Sequence, residues 1–129
     1  MKKGFTLVEI MIVVAIIALL AALVLPGLLR ARINANEAAA QANLKTIATA
    51  CESYASANNG KYPTSWGDLT NGTAPYLNKN LSGLHQGYTI TCNFTNTNYS
   101  CTATPLNPGV TGTKNFTITT GGKLNSTDS

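Results

Sequence analysis

Charge is scarce in this chain of 129 residues: only 11% of the side chains are charged, with 9 basic and 5 acidic groups and a formal net charge of +4. There is a single histidine, His85, and a single tryptophan, Trp66. Beyond residue 60 the acids are just Asp68 and Asp128. No nucleophile–base pair, metal-ligand cluster or glycine-rich phosphate loop has the spacing its chemistry demands. No catalytic residue, metal site or cofactor is therefore expected, and His85 reads as a surface group in a Gly-rich loop. The 3 cysteines lack zinc-type spacing and are too few for a disulfide scaffold. The length allows one domain with a modest core and excludes a two-domain enzyme.

What is abundant is apolar sequence, concentrated at one end. From Phe5 to Leu29 the only polar side chains are Thr6 and Glu9, and Ile10 to Leu29 is an unbroken apolar run of 20 residues. At 1.5 Å per residue such a run covers roughly 30 Å, the thickness of a bilayer's hydrocarbon core. Lys2 and Lys3 before it give the outline of a secretory signal peptide. The run exceeds the usual apolar region of about 7–15 residues, however, and no Ala-x-Ala triplet follows it. The segment is expected to stay on the protein as a membrane anchor. Flanking charge does not set its orientation, since Lys2 and Lys3 are balanced by Arg30 and Arg32. Glu9 breaks the apolar pattern, because an ionised carboxylate in lipid is costly unless it is paired or near the interface.

The stretch Lys2-Lys3-Gly4-Phe5-Thr6-Leu7-Val8-Glu9, leading into an apolar run, resembles the class III signal of type IV pilins and pseudopilins. The resemblance implies cleavage by a prepilin peptidase between Gly4 and Phe5, with N-methylation of Phe5. It also implies that Glu9 acts in filament assembly and that Pro26 matches a proline often found in the same helix. The implied partners are further copies of the chain in a homopolymer, the peptidase, the membrane and an inner-membrane assembly platform. The implied location is the bacterial inner membrane for the precursor and a surface filament afterwards.

The chemistry of this region accommodates that expectation. Removing the leader takes away two of the nine basic side chains, so the side-chain charge falls from +4 to +2. It exposes a positive amine within one helical turn of Glu9. In a staggered bundle, the amine of one subunit can meet Glu9 of its neighbour. Such a pair is not strongly stabilising, because desolvation offsets most of the Coulomb gain, but either charge left unpaired in a dry bundle costs about 3–5 kcal/mol. Glu9 is thus expected to set axial register. Burial of Val, Ile and Leu supplies attraction once subunits leave lipid, at about 25 cal/mol per Å².

Helical character continues beyond the membrane. Ile33, Glu37, Ala40, Leu44, Ile47, Cys51 and Tyr54 recur at alternating spacings of four and three, which places them on one helix face. Asn36, Gln41, Asn43, Lys45, Thr49 and Ser53 fall between them and are suited to solvent or to neighbours. Asn58-Asn59-Gly60 is the expected stop, with Gly60 as a left-handed cap. The helix is expected from Phe5 to about Asn58, kinked or locally melted at Pro26-Gly27.

The fold class expected is α+β and type IV pilin-like: a long N-terminal α-helix packed against a small antiparallel sheet. Its parts are a leader (1–4), a transmembrane and assembly helix (5–29), an amphipathic continuation (30–60), a connecting loop (61–87), and a sheet head with a C-terminal tail (88–129). One helical turn is expected near Ser65–Leu69, with Thr64 or Ser65 as cap. Trp66, Leu69, Tyr76, Leu77, Leu81 and Leu84 are the candidate core anchors of the loop. Residues 61–129 hold 15 Thr and 9 Asn, and their alternation predicts strands at Tyr88–Phe94, Tyr99–Thr104 and Asn115–Thr119. A turn at Thr95–Asn98 sets Phe94 opposite Tyr99, Cys92 opposite Cys101 and Ile90 opposite Ala103. At most one of three cysteine pairs can form. The hairpin register favours Cys92–Cys101, and pairing of Cys51 with either strand cysteine is the rival.

The function expected is a structural subunit of a type IV pilus-like filament, serving adhesion, surface motility or DNA uptake. The alternatives are a type II secretion pseudopilin and a non-polymerising membrane-anchored protein. The family's major pseudopilin carries an acidic calcium loop, for which the two acids of this head offer no matching ligand set. Nucleic-acid binding has weak support, since Lys61, Lys79, Lys114 and Lys123 are spread along the head rather than clustered.

Overall fold

A computed structural model describes residues 4–129, so Lys2 and Lys3 lie outside the described residues. The chain divides into two compact units, one ending at Arg32 and one comprising Ile33–Ser129. Helix α1 (Leu7–Ala57) contributes to both.

In the first unit every described residue through Arg32 is exposed, including Leu19 at 64% and Leu23 at 72%. The helix begins at Leu7 rather than Phe5, because Thr6 is its capping residue. It also continues as α-helix through Pro26, so of the kink or local melting expected there the melting does not occur. Proline removes one N–H and strains one turn, at about 3 kcal/mol. Unwinding the neighbouring residues would expose several more backbone groups, each costing several kcal/mol in an apolar medium. Among the described residues, α1 is the one helix long and apolar enough to cross a membrane.

In the second unit the remainder of α1 packs against a sheet. Ile33, Ala40, Leu44, Ile47 and Cys51 are buried, and Tyr54 packs against the same core, as the stripe predicts. The helix ends where Asn59 and Gly60 both adopt positive φ, 57° and 82°, and Gly60 N–H donates to the Ala55 carbonyl at 2.8 Å. That bond satisfies one of the helix's orphan carbonyls. Helix α2 (Trp66–Thr70) follows, with Ser65 as cap residue and the Asp68 carboxylate accepting from Thr64 N–H and hydroxyl at 2.9 and 3.1 Å.

The sheet is a five-stranded antiparallel meander in the order β1 (Gly83–His85), β2 (Tyr88–Phe94), β3 (Tyr99–Pro105), β4 (Lys114–Thr119) and β5 (Lys123–Asp128). The β2–β3 register pairs Phe94 with Tyr99, Cys92 with Cys101 and Ile90 with Ala103, as the alternation requires. Tyr88, Ile90, Tyr99, Cys101, Ala103, Phe116 and Ile118 face the helix and are buried with Leu44, Ile47 and Leu69. The opposite face carries Thr89, Thr91, Thr102, Thr104 and Thr117.

Two strands depart from expectation. β1 lies inside the expected loop at 61–87, and β5 occupies the expected polar tail. The β1–β2 connection is Gln86-Gly87, both at positive φ (51° and 80°), the backbone of a tight hairpin turn. The β4–β5 connection uses Gly121 and Gly122 at φ 87° and 76°. Each added strand gains its hydrogen bonds from a neighbour already in the sheet, so weak intrinsic strand preference does not prevent it. Among the proposed anchors Leu69, Leu77 and Leu81 are buried and Trp66 is partly buried, but Tyr76 is 38% and Leu84 57% exposed. Leu84 sits opposite Thr89 and shares its outward face.

Candidate processing and assembly site

Three of the singled-out residues, Gly4, Phe5 and Glu9, lie together at the start of α1 with Thr6 between them. Gly4 and Phe5 precede the helix as exposed, non-helical backbone. Next come Thr6 and Glu9, which cap each other: Glu9 N–H donates to Thr6 Oγ1 at 3.1 Å, and Thr6 N–H donates to Glu9 Oε2 at 3.3 Å. This reciprocal arrangement is a capping box, satisfying two of the helix's four orphan donors. It also places a negative side chain at the positive end of the helix dipole. The signal for this cap, a threonine three residues before a glutamate and an apolar run, stands in the sequence. Glu9 Oε1 receives no hydrogen bond from the described residues. Pro26 lies seventeen residues further along the helix and is not brought to this cluster.

In the second unit the cysteines divide as the hairpin register suggests. Cys92 and Cys101 are bonded across β2 and β3 with their Cα atoms 4.0 Å apart, and Cys51 is free and buried. Desolvation, followed by the charge of Glu52, pushes the Cys51 thiol up to about 12. It behaves as a small core residue rather than a reactive one.

Two carboxylates on α1 anchor the head, and neither role was foreseen. Glu52 accepts from Tyr62 Oη at 3.2 and 3.0 Å, from Tyr99 Oη at 2.9 Å and from Gly121 N–H at 2.8 Å. Gly122 N–H in turn donates to Tyr99 Oη at 3.0 Å. One side chain thus ties the post-helix loop, β3 and the β4–β5 turn to the helix. Burial, then the hydrogen bond to Glu52, raises the Tyr99 hydroxyl well above its ordinary range; Tyr62 is raised by the same causes in the same order.

Toward the start of this unit, Glu37 Oε1 accepts from Thr113 N–H and hydroxyl at 3.1 and 2.8 Å. Asn36, expected to face solvent or neighbours, instead donates to the Thr111 carbonyl at 3.0 Å and is half-buried. Burial and the Glu37 charge raise Tyr88, whose hydroxyl donates to the Lys114 carbonyl at 2.8 Å. Contacts separated by 47 to 76 residues leave no local pattern to read. Their only trace was Glu37 as the single charge on an otherwise apolar stripe.

Among the described residues no three His, Cys, Asp or Glu side chains gather as a metal-binding group.

Residues 1–25 match the family described as the prokaryotic N-terminal methylation motif. The chain carries the N-terminal motif of the type IV pilin and pseudopilin superfamily. Its relatives bear this out from both branches. The chain is 49% identical over 57 residues to the type IV wide pilus major component PilA4 of Thermus thermophilus, covering 44% of each chain. It is 44% identical over 53 residues to the type IV major pilin protein PilA of Myxococcus xanthus, covering 41% of this chain and 24% of that one. It is also 41% identical over 63 residues to type II secretion system core protein G of Pseudomonas aeruginosa, covering 49% and 44%. The matched stretch thus spans less than half the length of each relative. No solved structure gives a significant match. The pilin-like α+β fold is nevertheless plain, with an anchoring N-terminal helix and an antiparallel sheet packed on its continuation.

Proposed function

We propose that this chain is a structural subunit of a type IV pilus-like filament on the bacterial surface. Prepilin peptidase cuts between Gly4 and Phe5, Phe5 is N-methylated, and an inner-membrane platform draws the subunit from the membrane into a homopolymer. The observation that carries this reading is the apolar helix from Leu7 to Leu29, exposed at every residue and begun by the capped Glu9. Such a surface is stable in lipid or against other copies, and a filament supplies the second environment when the first is left behind. The capping box holds Glu9 beside the cleavage point, where the new amine of a neighbouring copy meets the carboxylate and fixes register. Adhesion, motility and DNA uptake are the roles such a fibre serves.

Similarity to core protein G favours a second reading, a secretion pseudopilus subunit. The second unit supplies four carboxylates, Glu37, Glu52, Asp68 and Asp128, of which the first three already accept hydrogen bonds from within the chain. That leaves little for a calcium loop and favours the pilus.

The deciding experiment is mass spectrometry and electron microscopy of fibres sheared from cells. The main band is expected to begin at N-methylated Phe5 and to form long surface fibres. A protein that still begins at Met1, or one confined to the membrane, would refute the assignment.

A further inference from the structure

We propose that Asn71, at the start of the loop after α2, is a self-modification site: its side chain closes onto the chain's own backbone and, with water, exchanges a neutral amide for a carboxylate. The backbone nitrogen of Gly72 gives up its proton to solvent and attacks Cγ of Asn71. A C–N bond forms, the Cγ–Nδ2 bond breaks, and ammonia leaves behind a cyclic imide. Water then adds to one of the two imide carbonyls and opens the ring. Breaking the bond from the nitrogen to Cγ gives aspartate. Breaking its bond to the main-chain carbonyl carbon gives isoaspartate, whose main chain runs through Cβ and Cγ. One water is consumed, one ammonia is released, and nothing is oxidised or reduced.

Asparagine cyclises most readily before glycine, which puts no side chain beside the attacking nitrogen and leaves the backbone free to turn. The chain has two such pairs, Asn59-Gly60 and Asn71-Gly72. All four residues are exposed, so access to water does not tell the pairs apart. The attacking nitrogen does. Gly60 N–H donates to the Ala55 carbonyl at 2.8 Å, and Lys61 N–H beside it donates to the Asn58 carbonyl at 3.1 Å. Both bonds belong to the cap of α1. Before it can attack, the Gly60 nitrogen must leave its bond and open the helix end, stranding a carbonyl that the cap had satisfied.

Gly72 is under no such restraint. Among the described residues its N–H meets no acceptor, and a Cβ built on it would meet nothing within 4 Å beyond its chain neighbours. Asn71 has extended backbone just outside α2, with φ −88° and ψ 158°, and rotation about ψ swings the Gly72 nitrogen toward Cγ. Other asparagines of the head are hindered differently. Asn107 precedes Pro108, which has no N–H to lose. Asn93 and Asn115 stand in β2 and β4, each before a phenylalanine. The loop also has room for the product. Asn71 N–H to the Gly67 carbonyl and Leu77 N–H to the Leu69 carbonyl, both 2.9 Å, tie its two ends to α2, and residues 72–76 between them are exposed or half-buried. The new carboxylate falls three residues after Asp68, so converted chains carry one more negative charge than unconverted ones.

The test is peptide mapping of the full-length protein, extracted from membranes and kept warm in mildly alkaline buffer. Trypsin separates the two pairs, because Lys45, Lys61 and Lys79 bracket peptides 46–61 and 62–79. Peptide 62–79 is expected to gain the mass of a hydroxyl in place of an amino group, with fragment spectra placing aspartate and isoaspartate at position 71. Position 71 is expected to convert at least about tenfold faster than position 59, a barrier difference of about 1.4 kcal/mol. In urea, where the cap of α1 is lost, the two positions are expected to convert at similar rates. Asn71→Gln, whose longer side chain closes a less favourable ring, is expected to leave position 71 unconverted. Equal rates at 59 and 71 in the folded protein would overturn the proposal. So would an Asn71 that stays intact in the folded protein and converts only once it is unfolded. Neither result bears on whether the chain forms a filament.

Discussion

The two units of this chain solve the problem of apolar surface in opposite ways. From Ile10 to Leu29 side chain after side chain is apolar and every one is exposed. From Ile33 onward, apolar residues are sparse but used efficiently: Leu44, Ile47, Leu69, Tyr88, Ile90, Cys101 and Ala103 are completely enclosed. Among the described residues the first unit has no core of its own. The second has a self-sufficient core closed by polar clamps. In the proposed filament, assembly chemistry falls to the first unit and fold stability to the second, and substitutions can separate the two.

The largest separation is expected from Glu9→Val. A neighbouring amine left without its carboxylate in a dry bundle costs about 3–5 kcal/mol. Fibre yield measured by shearing and immunoblotting should collapse, while thermal melting of the head is unchanged. Wild-type fibre yield would show that Glu9 acts only as a helix cap. The converse variant is Glu52→Ala, which strands two tyrosine hydroxyls and the Gly121 N–H. Hydrogen bonds to a charged group contribute about 1.5–3 kcal/mol each, and water recovers part of this at a half-buried site. A loss of about 2–3 kcal/mol in chemical denaturation is expected, with membrane insertion unaffected.

A comparable effect is expected for joint replacement of Cys92 and Cys101 by serine. This opens a short loop and removes about 2–3 kcal/mol from the head by the chain-entropy estimate. Alkylation of the unreduced, unfolded wild type should label Cys51 alone.

The smallest effect is a pH dependence confined to the alkaline side. Tyr62, Tyr88 and Tyr99 have folded values raised above the ordinary value near 10, so the folded head favours their neutral forms. Their contribution is fully present below about pH 10 and is lost as pH rises through the higher folded values. Denaturant midpoints should fall above pH 10, and ultraviolet titration of the native head should show these hydroxyls ionising late. Phenylalanine at position 99 should shrink the effect; an unchanged profile would mean that Tyr99 does not couple to folding.

Much of the fold could be read directly. The spacing of Ile33, Leu44, Ile47 and Cys51 identified the buried helix face, and the alternation through Tyr88–Phe94 and Tyr99–Thr104 located the Cys92–Cys101 pair. Both signals arise from periodicities of one element, 3.6 or 2 residues, which a linear sequence displays. β1 and β5 were hidden because Gly-Leu-His and Lys-Leu-Asn-Ser-Thr-Asp become strands only beside an existing edge. The Glu52 and Glu37 clamps were hidden because their partners lie in segments far along the chain.

By itself the sequence determined that one end is a membrane-compatible rod with a lone acid, because hydropathy and length are local properties. It also determined which helix face would be covered. Only the tertiary structure decided what covers it, which carboxylates close the head, and that the rod's acid caps its own helix. Those outcomes depend on distances between groups that the order of residues leaves free until the chain has packed.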